Sequence, residues 1–308
     1  MKQEKQEKRG VLAGFLGEPT PSKASGFAFT LAAILPQVLF FAVLAFAPAA
    51  GEEKPDWYLY ASFLVPQLSF ALVALLVKNW KGESLKASFK AQTSCKKRYY
   101  FIAVAMQIGL LSLSYLNAWF LQLLGGIGYV DEGIDLPSLN GFGFVGVLVT
   151  VALLPAIFEE IFFRGVLLSG LKSFGMLGGA LLCGALFSLY HENPAQTVYQ
   201  FVCGFAFAWA AIKAGSILPT VLAHFLNNAF VLFTEKFGYP PALEYALLIL
   251  SITCLIFTVV WFAVFDREQN EPAKGDKSEK VAFFKWSAIG IGFCLLVWIL
   301  ALATGIVG

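Results

Sequence analysis

Long apolar runs recur along the chain, each about the 20 or so residues that a helix needs to cross a bilayer. They fall near residues 26–50, 57–77, 99–124, 143–171, 176–193, 195–212, 216–234, 241–265 and 286–307. This pattern predicts an all-α polytopic membrane protein with roughly eight or nine transmembrane helices and a site inside the membrane. Pro36 and Pro66 fall within the first two runs, where neighbouring helices are expected to re-satisfy the backbone. Between 143 and 234 polar residues and short turns interrupt the apolar pattern, so the functional core is expected there. The expected organisation is a cytoplasmic tail over 1–25, N-terminal membrane helices over 26–141, a catalytic core over 142–235 and C-terminal membrane helices over 236–308.

Loop charge sets the orientation. The segment 78–98 carries Lys78, Lys81, Lys86, Lys90, Lys96, Lys97 and Arg98 against Glu83 alone. The segment 125–141 carries Asp131, Glu132 and Asp135 and no Lys or Arg. The positive-inside rule puts the first in the cytoplasm and the second outside. The tail with Lys2, Lys5, Lys8 and Arg9 is expected in the cytoplasm, as is the linker 266–285, read as a solvated, flexible loop. On the same loop charges the polar site is expected to open to the cytoplasm. The run at 26–50 is too long for the apolar part of a signal peptide and reads as a retained helix.

Composition agrees. With 58% hydrophobic and 14% charged residues, the chain has more apolar surface than one soluble core of 308 residues hides, so lipid is its solvent. The expected location is the plasma membrane of a prokaryote. No basic stripe points to nucleic acid. The five cysteines form no CxxC pair and read as small core residues rather than disulfides or a thiolate zinc site.

Charge at membrane depth costs about 2.5–3.5 kcal/mol per ionised side chain, so it persists where something pairs with it or needs it. Three clusters stand out. In the first, Glu160 and Arg164 are four residues apart and share a helix face as an ion pair. Glu159, rotated by about 100°, is left without that partner. A desolvated carboxylate suits general acid or base work. The second cluster holds Ser188 and His191. The third holds His224, Asn227 and Asn228, with His224 and Asn228 on one face. The chain has two histidines, and both fall here. If Lys172–Gly175 is a turn, Glu159 lies about 15 residues before its centre and His191 about 17 after it, which gives similar depths on antiparallel helices. Straight helices leave His224 shallower by about 9–12 Å, a gap that tilt, kinks or offset turns must close.

The patterns EExxxR, FxxxH and HxxxN, in this order over about residues 155–230, resemble the ABI family, also called CPBP. That family includes type II CaaX prenyl endopeptidases and bacteriocin self-immunity proteins. The likeness extends to Arg164-Gly165 and to the stretch from Lys213 to Pro219 that leads to His224. It implies a glutamate-type intramembrane endopeptidase without a cofactor. Glu159 with His191 would activate water, His224 with Asn228 would stabilise the oxyanion, and Glu160 with Arg164 would be structural. The implied partner is a membrane-embedded or lipid-anchored peptide, of which a prenylated CaaX tail is one form the resemblance allows.

Other readings stay open on the residues alone. Two histidines and a glutamate also make a catalytic zinc set, although HExxH is missing. A self-immunity or scaffold protein would use the same polar cavity without catalysis. Intramembrane Glu and His also mark ion paths, against which no inverted repeat is present. Ser188 is read as a bystander. Glu192 and Asn227 have no assigned role.

Overall fold

The computed structural model describes residues 11–49, 52–82, 95–131, 133–238, 240–266 and 277–307. The basic residues of the N-terminal tail, Glu83, Lys86, Lys90, Glu132 and the linker stretch 267–276 lie outside the described residues. Among the described residues every regular element is helical. In chain order these are α1 (Val11–Leu16), α2 (Pro21–Leu44), α3 (Asp56–Lys81), α4 (Arg98–Gly125) and α5 (142–174). They continue with α6 (Gly175–Tyr190), α7 (Thr197–Ala214), α8 (Leu218–Phe237), α9 (Pro241–Val260) and α10 (Lys277–Val307).

Among the described residues seven segments are long and apolar enough to cross a membrane, one of them Phe142–Tyr190, which holds two legs. The chain reverses between α5 and α6, where Gly175 takes a positive φ of 78°. Cys183 Sγ then lies 3.6 Å from Phe163 O, as an antiparallel hairpin requires. The helix α8 is outside the seven because His224, Asn227 and Asn228 dilute its apolar character. The nine apolar runs of the sequence thus correspond to nine long helices of a multi-pass membrane protein. Of the cysteines, all free, Cys183, Cys203 and Cys294 are buried.

Contacts define two ends. At the basic end Ser22 Oγ donates to Gly170 O at 2.7 Å, Lys213 Nζ donates to Asp266 O at 2.7 Å, and Tyr99 OH donates to Asp266 Oδ2 at 3.0 Å. At the other end Lys54 pairs with Asp135 at 2.7 Å, Ser138 N donates to Asp56 Oδ1 at 2.8 Å, and Val130 N donates to Gly305 O at 2.9 Å.

The linker expectation fails over 277–285, where α10 has already begun. Composition read this stretch as solvated, yet Phe283 is fully buried and Phe283 and Phe284 both meet the ring of Phe174 at 5.9 and 5.7 Å. Thr20 Oγ1 donates to Glu279 Oε2 at 3.1 Å. Packing outweighs local polarity there.

Three prolines lie inside helices at mid-chain positions: Pro36 in α2, Pro66 in α3 and Pro155 in α5. Each lacks the N–H that would bond the carbonyl four residues earlier. All three face one large cavity. The α5 helix also widens into i→i+5 turns over Leu148–Leu153 and Ile161–Leu167, on either side of the glutamates. Such turns are rare and concentrate at functional sites.

Candidate active site

The site is anchored by a buried cation. Arg164 is 1% exposed. Its Nη1 donates to Glu160 Oε1 at 2.7 Å and its Nη2 to Gly204 O at 3.1 Å. The guanidinium also lies over the rings of Phe187, Phe207 and Phe163 at 4.5, 5.3 and 5.8 Å. Gly204 makes this possible. A Cβ there would sit 2.9 Å from Gly184 Cα, so α6 and α7 cross with backbones touching, and only glycine fits.

Glu160 is fully buried and does more than pair with Arg164. Its Oε1 also lies 3.0 Å from His224 Nδ1. A carboxylate only accepts, so Nδ1 carries the proton and Nε2 points away from Glu160. His191 is fixed in the same manner. Its Nδ1 lies 2.7 Å from Phe187 O, a carbonyl that only accepts, which leaves Nε2 of the neutral ring as an acceptor. The ring of Phe187 stands between the two histidines, 4.7 Å from His191 and 6.0 Å from His224.

Glu159 faces the other way, as the 100° rotation between neighbours demands. It is 9% exposed, its Oε2 makes no hydrogen bond to the chain, and that oxygen lies 4.0 Å from His224 Nε2. The depth gap between Glu159 and His224 is therefore closed. The i→i+5 turns over Ile161–Leu167 lie between the glutamates and the hairpin turn.

Asn228 is held by a network that local sequence does not reveal. Gln107 Nε2 and Tyr199 OH both donate to Asn227 Oδ1, at 2.8 and 2.9 Å. That fixes the flip of the Asn227 amide, whose Nδ2 donates to Asn228 Oδ1 at 3.1 Å. The Asn228 Nδ2 is thereby turned to Val151 O at 3.4 Å. Asn227, unassigned from sequence, is thus a hub, and Gln107 and Tyr199 join it from α4 and α7. Ser188 Oγ donates to Thr197 O at 2.7 Å and packs between helices.

Glu159, His191, His224 and Asn228 all line one cavity of about 1500 Å³. Its walls come from α2, α3, α4, α5, α7, α8 and α9, with Asp131 and residues 133–140 at its rim. The expectation of a site open to the cytoplasm is therefore corrected. The cavity rises to the end that carries Asp131 and Asp135, away from the basic loops. Loop charge orients the chain but says nothing of where a cavity opens; the long segment 126–141 and the short hairpin between α6 and α7 decide that. Among the described residues no three His, Cys, Asp or Glu side chains are grouped to hold a metal ion.

Comparison with known proteins agrees with this architecture. Residues 141–230 match the family described as "Type II CAAX prenyl endopeptidase Rce1-like". The match encloses both glutamates, both histidines and Asn228, and bears out the resemblance drawn from the motifs. A protein of Bacillus subtilis (strain 168) named "Putative membrane peptidase YdiL" is 24% identical over 207 residues, which cover 62% of this chain and 79% of that protein. No solved structure matches the chain. At family level, then, this is a multi-pass membrane protein similar to CAAX-protease-like membrane peptidases.

Proposed function

We propose that the chain is an intramembrane glutamate-type endopeptidase that hydrolyses a peptide bond of a membrane-associated substrate. The observation that carries the reading is the convergence of Glu159, His191, His224 and Asn228 on one cavity, with Nδ1 of each imidazole held by an acceptor.

In this mechanism a water sits against Glu159, whose free Oε2 takes a proton from it while the acceptor Nε2 of His191 orients it. The hydroxide oxygen bonds to the substrate carbonyl carbon, and the carbonyl oxygen becomes an oxyanion. Asn228 Nδ2–H donates to that oxygen. His224 donates from Nε2–H when both ring nitrogens carry protons, with Nδ1–H still on Glu160. Each such donor contributes about 3–4 kcal/mol in well-studied cases. Collapse breaks the C–N bond, and the proton on Glu159 passes to the leaving amine. No acyl-enzyme forms.

In this reading Glu159 and His191 activate the water without a resident metal. A chelator is expected to leave activity unchanged; full inhibition reversed by added zinc would establish the zinc form instead. A prenylated CaaX tail fits the family likeness as one substrate.

The test compares protein termini in host membranes that carry equal amounts of the natural protein or Glu159→Gln. New termini with the natural protein alone are expected. Identical termini in both would overturn the protease reading and favour an immunity or scaffold role.

A further inference from the structure

Apart from the two histidines, the ionisable Asp, Glu, Lys and Arg side chains on the cavity wall are all acidic. Beside Glu159 they are Asp131, Asp135, Glu192, Glu235 and Glu244, with no Lys or Arg. Among the described residues only Asp135 of these five is ion-paired, to Lys54. Lys236 turns its ammonium to Leu139 O nearby. The acidic wall does not stand alone. It runs down to Glu159 Oε2, an oxygen on a residue nine-tenths buried and without a hydrogen-bond partner. The volume of about 1500 Å³ exceeds the roughly 300–1,000 Å³ of small-molecule pockets. Low-dielectric walls lined by one charge sign focus the field and concentrate counter-charge. An anionic segment would be repelled along the whole approach.

We propose that the cavity takes an extended peptide segment bearing Lys or Arg, admitted from the face opposite the basic loops. This deepens the protease reading and rests on the cavity as its substrate site. With the basic loops in the cytoplasm, the substrate segment lies on the non-cytoplasmic side. The cationic residues engage the acidic rim while the scissile bond descends to Glu159.

Direction and charge are tested separately on the full chain. For direction, Asn140→Cys, an exposed position on the cavity rim, is treated in intact cells with a membrane-impermeant maleimide. The native Cys95, at the basic end, serves as the internal control. Labelling of Asn140→Cys in intact cells, with Cys95 labelled only after permeabilisation, is expected. The reverse pattern overturns the direction of entry.

For charge, the Glu159→Gln protein in zwitterionic nanodiscs is titrated with a fluorescent lysine-rich decapeptide and with its glutamate counterpart. The lysine peptide is expected to bind on the order of tenfold more tightly and to weaken with salt. Asp131→Asn, Glu235→Gln and Glu244→Gln combined are expected to remove that preference with an unchanged melting temperature. Equal binding of both peptides, or a preference that survives neutralisation, overturns the proposal. Binding is read here without cleavage, so a chain that proves inactive still decides it. Equal termini with and without Glu159 would sink catalysis alone.

Discussion

The two sides of α5 at the level of its glutamates carry the same residue type into opposite surroundings. On one side Glu160 is fully buried, with Arg164 at 2.7 Å and His224 Nδ1 at 3.0 Å. On the other, Glu159 meets a cavity, and its Oε2 has His224 Nε2 no closer than 4.0 Å. The first side is a closed set of charges whose value is geometric: it holds an imidazole and three phenylalanine rings in place. The second keeps a carboxylate poised and uncommitted. One step along the helix separates a paired carboxylate from one whose Oε2 has no hydrogen bond, and His224 lies beside both.

That contrast is sharpest under paired substitution. Glu159→Gln is expected to lower turnover by about 10²–10⁴, the usual contribution of a general base, with an unchanged melting temperature. Glu160→Gln leaves the buried Arg164 without its counter-charge and is expected to cost about 3–5 kcal/mol of stability in a denaturation series. Similar effects of both variants on stability would erase the distinction between the two sides. A smaller test addresses the network behind Asn228. Tyr199→Phe removes one of two donors to Asn227 Oδ1, worth about 0.5–1.5 kcal/mol, and is expected to reduce kcat by roughly 2- to 10-fold with KM little changed. An effect on KM alone would make Tyr199 a substrate contact instead. Ser188→Ala is expected to keep turnover within about twofold while it loses about 1 kcal/mol of stability with its bond to Thr197 O. Loss of turnover there would reopen a serine mechanism.

The site was legible in the sequence where expense made it visible. Glu159, Glu160, Arg164, His191, His224 and Asn228 are costly in an apolar helix, and their spacing put partners on shared faces. Gln107 and Tyr199 carried no such mark, since a neutral amide and a phenol are tolerated in many settings. Their bonds to Asn227 span 120 and 28 residues, beyond any local pattern. The i→i+5 turns on either side of the glutamates also leave no trace in composition, and straight-helix arithmetic did not foresee the 4.0 Å approach of Glu159 to His224. The helical start of α10 was masked because Phe283 and Phe284 outweigh the lysines around them.

The prolines of α2, α3 and α5 bear on supply. A hydrolase has two reactants, and the second is water, which hydrocarbon excludes. Pro36, Pro66 and Pro155 each strip a donor from a helix beside the cavity, so that carbonyls a turn earlier seek other partners. Near Pro155, Val151 O accepts from Asn228 Nδ2 at the cavity. These three prolines put polar backbone on a cavity in an otherwise apolar bundle, and that is where water, the second reactant of the proposed hydrolysis, is best held.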